Sequence, residues 1–315
     1  SLARGPHDAQ YPSLFRLLTA VALQNKADNI PPNLGGAVVD AILAGQNSTE
    51  MFLAAYIPAL VAAIGYLLAI AVVVRLQPQH APSAQAARAA EIWASARRVW
   101  PIVVIFVVVF GGIYGGLFTA TEGAAIGVVL TCCITLARRE LDRSKFVAAI
   151  RTTAQTSGMI FMIFIGADML NAALALSQLP TQLSDLVGHL QMSPLLVMGG
   201  IMLFYIALGC VMDEMSMILL TVPTLFPVIM GMEFFGLNPA DKALWFGVLI
   251  LTVCAVGMIF PPVGLNVYIM NGLARDVPMT ETYKGVVPFL MTDAVRLALL
   301  ITFPSLSLWL VYRLA

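Results

Sequence analysis

The sequence predicts an all-α, polytopic membrane protein, and three observations carry that prediction. Of 315 residues, 60% are hydrophobic and 11% charged, and mean hydropathy is +0.89. A soluble domain carries roughly 25% charged residues, so this chain has too few charges to coat a water-facing surface. Apolar stretches long enough to cross a bilayer recur along its length. The alternating ten-residue strands of a membrane barrel are absent, and lipid offers no partner to an unpaired backbone group, so the spans are helices. The zero net charge excludes a nucleic-acid partner, and the composition excludes both a disordered chain and a soluble cytosolic enzyme.

A span needs about 20 apolar residues. The stretches that qualify are 51–74, 99–118, 120–137, 157–176, 194–212, 215–232, 244–260 and 286–312. Residues 1–13 are polar and lack the apolar region of a cleavable signal; they read as a truncated loop whose preceding part is missing. Arg75, Arg88, Arg97 and Arg98 gather around one connection, and Arg138, Arg139, Arg143, Lys145 and Arg151 around another. Residues 177–193 hold no Lys or Arg, so the first two connections face the cytoplasm and the third faces out. That assignment needs 99–137 to cross twice, or once as a broken helix; both remain open. Residues 77–98, with Ile92 and Trp93 among arginines, read either as an amphipathic arm at the interface or as a solvated linker. Cys132, Cys133, Cys210 and Cys254 lie within apolar runs and read as small buried hydrophobes.

Two short apolar stretches are interrupted by a double proline. Pro31-Pro32 breaks 14–44, and Pro261-Pro262 breaks 244–274. Each proline removes a donor and turns the preceding residue away from α. Each break opens a helix into two halves, those of 14–44 being about 11 residues and too short to span, and both segments are expected to be re-entrant hairpins. Pro58 stands 26 residues beyond Pro32, and Pro288 stands 26 beyond Pro262, an offset of 230 throughout. Interrupted segments at matching positions of two halves point to a transporter binding site. The chain then divides into the truncated loop 1–13, the end of a first repeat 14–85, a connector 86–148 and a second repeat 149–315.

Several polar groups are candidates for the chemistry. In GGIYGGLFTATEG (111–123), Thr119, Thr121 and Glu122 could hold a cation or an anionic substrate, or could form a capping box at a tight helix crossing. Asp213 and Glu214 sit between two apolar runs, either inside the bilayer as functional charges or at a surface turn. Asp168 and Asn171 share a helix face suited to packing or subunit contact. Asp293 and Arg296, three apart, read as a structural pair. Asn33, Gly257, Gly264 and Asn266 belong to the hairpin tips, where exposed amides and freed carbonyls can meet a carboxylate and sodium. No HExxH, GxSxG, P-loop or GxGxxG element occurs. His7, His80 and His189 lie outside the apolar cores. An intramembrane enzyme is therefore not expected.

GGIYGGLFTATEGAA, GCVMDEMSMILLTVPTLFPVI (209–229), WFGVLILTVCAVGMIFPPVGLN (245–266), VVPFL and FPSLSLWL occur in order. They resemble the large membrane subunit of TRAP (tripartite ATP-independent periplasmic) transporters of the dicarboxylate type, over residues 16–315. The resemblance implies an inverted-repeat, elevator-type transporter with two re-entrant hairpins in the bacterial inner membrane. It implies two partners, a small four-helix membrane subunit and a periplasmic substrate-binding protein. The cargo would be an organic acid, a C4-dicarboxylate or another carboxylate, and sodium the coupling ion, with no other cofactor. Carried over by motif, the sodium region is Gly209, Asp213, Gly257 and Phe260. The substrate region is Asn33, Thr119, Thr121, Glu122, Pro262, Gly264 and Asn266. The family usually has Thr at Phe260, Ser at Asn33 and Pro at Ala120, and Lys26 and Asp28 make the first hairpin unusually polar. The alternative is an inactive, truncated subunit with an assembly role.

Overall fold

The computed structural model describes residues 48–76, 89–189, 192–273 and 278–314. The first proline pair, Asn33, Lys26 and Asp28 lie outside the described residues, as does the hairpin predicted over 14–44. The described residues are helices joined by short turns. They are α1 (Ser48–Leu76), α2 (Ala89–Tyr114), α3 (Ala120–Ala137), α4 (Arg143–Leu176), α5 (Leu179–His189), α6 (Pro194–Gly209), α7 (Glu214–Met230), α8 (Pro239–Gly257), α9 (Leu265–Leu273), α10 (Met279–Thr302), α11 (Ser305–Leu308) and α12 (Val311–Leu314). Five of them, α1, α3, α4, α8 and α10, are long and apolar enough to cross a membrane. The protein is all-α and polytopic. Its chain forms two compact units, one of Ser1–Pro82 with Ile163–Ala315 and one of Ser83–Met162.

Local chemistry accounts for the helix ends. Glu50 in the first turn of α1 and Arg75 in its last match the helix dipole. α8 starts where Asn238 accepts a hydrogen bond from Asp241 N, with Pro239 at the first position. α10 stops at Thr302 because Pro304 cannot continue it. The span predicted over 286–312 is accordingly shorter and set earlier. Residues 194–212 and 215–232, read as full spans, form α6 of 16 and α7 of 17 residues. At 1.5 Å per residue these are roughly 24–26 Å long, short of the roughly 30 Å hydrocarbon core.

In the larger unit the core gathers on α8, almost every residue of which is buried, Trp245 and Leu249 completely. Helices α1, α6, α7, α10 and α11 pack around it. Trp245 Nε1 donates to Leu300 O at 2.8 Å, so even the largest buried side chain has its polar atom satisfied. Helix α1 lies along α10. Tyr66 meets Phe289 edge-on at 5.5 Å, and its hydroxyl lies 2.8 Å from both Asp293 carboxylate oxygens. Arg296 Nη2 is 3.1 Å from Asp293 Oδ1, with side chains 4% and 1% exposed. The pair expected from the sequence therefore forms, inside the core. Arg296 is also the residue 230 positions beyond Tyr66, the offset that relates the two proline pairs. The outer face of α1 presents Leu60, Ile64, Leu67 and Leu68, an apolar surface suited to lipid.

In the smaller unit, α2 runs without a joint from Ala89 to Tyr114. Residues 89–98 of the predicted arm are thus helical and continuous with the following span. Gly123 faces Ile113, and Gly127 faces Val109; contacts that step in opposite directions make α2 and α3 antiparallel. Residues 99–137 therefore turn back at 115–119 as a hairpin of two helices.

Candidate functional site

The second proline pair opens the backbone where the sequence places it. α8 ends at Gly257 and α9 begins at Leu265. The intervening loop is closed at its base by Asn266 N donating to Met258 O at 3.1 Å. Gly264 has φ +52°, and a Cβ there would lie 3.1–3.2 Å from the carbonyl carbon and oxygen of Ile259 and from Phe260 O. The position therefore takes glycine on both conformational and steric grounds.

Against this break sits the turn between α6 and α7. Tyr205 and Thr221, on either side of that turn, hydrogen-bond through their hydroxyls, so α6 and α7 form an antiparallel hairpin of two short helices. Its tip touches the end of α8. A Cβ on Gly209 would lie 2.7 Å from Gly257 Cα, and a Cβ on Gly257 would lie 2.8 Å from Gly209 Cα. Only backbone fits between them.

Next to this contact, Cys210 is buried. Its Sγ lies 3.3 Å from Ile206 O of its own helix, 3.5 Å from Phe260 O and 3.7 Å from Pro261 O. The Tyr283 hydroxyl donates toward Pro262 O at 2.6 Å and Val263 O at 2.9 Å. Four successive carbonyls, 260–263, thus face side-chain donors brought from two distant elements.

Asp213 is the N-cap of α7. Its carboxylate accepts from Ser216 N at 3.1 Å and from the Ser216 hydroxyl. It is exposed, while Glu214 beside it is buried. The two acids therefore split between the alternatives the sequence left open, one at the turn surface and one inside.

Thr119 and Glu122 form a complete capping box. Thr119 N donates to Glu122 Oε2 at 2.8 Å, and Glu122 N donates to Thr119 Oγ1 at 3.4 Å. Thr121 is exposed on the first turn of α3. Asn171, expected to pack, does so specifically. Its Nδ2 donates to Leu219 O at 2.9 Å, a carbonyl that would otherwise bond the N–H of residue 223. That residue is proline and has none.

The sequence profile described as "Tripartite ATP-independent periplasmic transporter, DctM component" matches residues 20–306. The chain belongs to the DctM family. Among curated proteins it is 30% identical over 299 residues to "C4-dicarboxylate TRAP transporter large permease protein DctM" of Rhodobacter capsulatus, covering 94% of this chain and 64% of that one. It is 27% identical over 278 residues to "Putative TRAP transporter large permease protein" of Haemophilus influenzae, covering 88% and 66%. It is 27% identical over 305 residues to "Ectoine TRAP transporter large permease protein TeaC" of Halomonas elongata, covering 96% and 68%. The chain spans about two thirds of the length of these relatives. The printed names of these relatives describe transporter permeases.

Of the candidate residues in this DctM-family chain, the larger unit brings together Gly209, Gly257, Phe260, Pro262, Gly264 and Asn266. Asp213 stands at the end of the same turn. Thr119, Thr121 and Glu122 belong to the smaller unit, and Asn33 lies outside the described residues. Phe260 takes part through its carbonyl, its ring being exposed. The sequence missed Cys210 and Tyr283. Cys210 is buried as expected, yet its thiol faces the open carbonyls. Tyr283 carries no local signal, because its partners are 20 and 21 residues away.

Proposed function

We propose that this chain is the large membrane subunit of a TRAP transporter. It carries a small organic acid, a C4-dicarboxylate or another carboxylate, inward across the bacterial inner membrane. Sodium drives the step, and the motion is an elevator-type displacement of the segments around the break. A small four-helix membrane subunit and a periplasmic substrate-binding protein complete the assembly. The observation that carries this reading is the broken helix in the core of the larger unit. Beyond Gly257, backbone carbonyls are freed from the helical ladder and gathered against the Gly209–Asp213 turn. Oxygen ligands of this kind suit a small hard cation, and broken helices that line a site in this way are a recurrent transporter design. The Pro262–Gly264 loop, with Asn266 at its base, is the part assigned to the carboxylate. Thr119, Thr121, Glu122 and Asn33 enter the substrate region through the family resemblance.

Asp213→Asn separates charge from fold, because Asn caps a helix as well as Asp does. The test is uptake of radiolabelled organic acids by proteoliposomes holding the full-length chain with both partners, in sodium or in choline. The expected result is sodium-dependent uptake by the wild type, and its loss in Asp213→Asn at unchanged membrane insertion. Wild-type rates in the variant would remove Asp213 from the ion site. No uptake of any organic acid by the complete assembly would leave a purely structural role.

A further inference from the structure

Tyr283 and Cys210 have no part in the ligand set expected from the sequence, and their placement is hard to explain by packing alone. Between Phe260 and Gly264 the chain contains two residues without an N–H, Pro261 and Pro262, and the helical ladder stops at Gly257. Among the described residues no backbone N–H donates to the carbonyls of 260–263. Each carbonyl oxygen has two lone pairs. A donor on one of them fixes the direction of the dipole and leaves the other open. Cys210 stands on the Phe260 and Pro261 oxygens, and Tyr283 on the Pro262 and Val263 oxygens.

A single phenolic proton within 3 Å of two carbonyl oxygens holds both in one arrangement without saturating either. The thiol, a weak donor shared between Ile206 O at 3.3 Å and the Phe260 and Pro261 oxygens at 3.5–3.7 Å, can do the same only loosely. The two side chains come from different places, the tip of the α6–α7 hairpin and the first turns of α10. The orientation of the carbonyls is thereby tied to the packing of both.

We infer that Tyr283, supported by Cys210, is a positioning residue that sets the affinity of the coupling ion by orienting the carbonyls of residues 260–263. The inference rests on the sodium reading proposed above. Partners that orient metal ligands without touching the metal typically matter by 10–100-fold in affinity. A hydroxyl serving two neutral carbonyls belongs at the low end of that range.

The test is thermal unfolding of the purified full-length chain in detergent across a sodium series, with ionic strength held by choline chloride. A ligand that binds only the folded protein raises the midpoint as it saturates. The expected result is a sodium-specific rise in the wild type. In Tyr283→Phe the same plateau is reached with roughly tenfold more sodium. Cys210→Ala shifts in the same direction by less, and Cys210→Ser, which keeps a donor, lies closer to the wild type. An unchanged half-saturating concentration in Tyr283→Phe overturns the inference. So does a midpoint lowered equally at every sodium concentration, which marks a structural role only. If Tyr283→Phe does not accumulate in the membrane, Cys210→Ala decides by the same two criteria. A wild type with no sodium-specific rise removes the ion reading and this inference together, whereas the first two results remove this inference alone.

Discussion

The two units of this chain close their polar groups in opposite ways. Within residues 119–153 of the smaller unit, each side-chain hydrogen bond that can be described spans five residues or fewer, from the Thr119–Glu122 box to Thr153 on Ala149 O. In the larger unit several side-chain bonds are long. Tyr66 to Asp293 spans 227 residues, Trp245 to Leu300 spans 55, Asn171 to Leu219 spans 48, and Tyr283 to Pro262 spans 21. The densest motif in the sequence, GGIYGGLFTATEG, accordingly turns out to be largely self-contained. The more modest FPPVG leaves carbonyls that only distant residues can serve. A glycine- and hydroxyl-rich stretch marks a turn, and what lies opposite that turn decides whether it is also a site.

The comparison is broken most directly at Asp293. Asp293→Asn leaves a buried arginine without its counter-charge, and about 3–5 kcal/mol of stability is expected to go. Replacing both members, Asp293→Leu with Arg296→Met, should recover most of it; chemical unfolding in detergent is the readout. Gly257→Ala comes next. It places a methyl against the Gly209 backbone, and overpacking of this kind costs about 1–3 kcal/mol. A thermal midpoint equal to that of the wild type would show that the two helix ends are free to part. Asn171→Leu strands the Leu219 carbonyl, at the lower end of the about 1–3 kcal/mol for an unsatisfied buried group. The smallest effect belongs to the self-contained unit. Thr119→Ala removes an exposed cap worth about 1 kcal/mol, while Thr119→Ser should keep it. A Thr119→Ala loss as large as that of Asp293→Asn would erase the distinction between the two units.

Much of the fold was legible because it follows from local rules. The apolar stretches became helices, the double proline opened one of them, and Asp293 and Arg296 paired at the spacing where helical neighbours meet. The capping box at Thr119 was one of two readings of the motif, and it forms. Legibility failed where the outcome depends on a partner. Residues 194–212 and 215–232 look like spans by composition, but Asp213 caps a turn between them and both helices come out short. Arg296 neutralises Asp293 as expected, yet nothing in its neighbourhood announces that Tyr66 will join them. Cys210 reads as a small apolar residue until the carbonyls it faces are in view. Tyr283 sits in an ordinary helix start, and its role exists only once the break has folded back to meet it.

The bond from Asn171 to Leu219 carries a consequence for how this sequence can change. Pro223 creates a debt in its own helix that is settled on another one, so the two positions constrain each other without touching. With proline at 223, apolar replacements at 171 are penalised. With Pro223→Ala the helix supplies its own donor, and position 171 becomes free to accept leucine or valine. The order in which such substitutions arise then matters: the proline can be lost first at little harm, but the asparagine cannot.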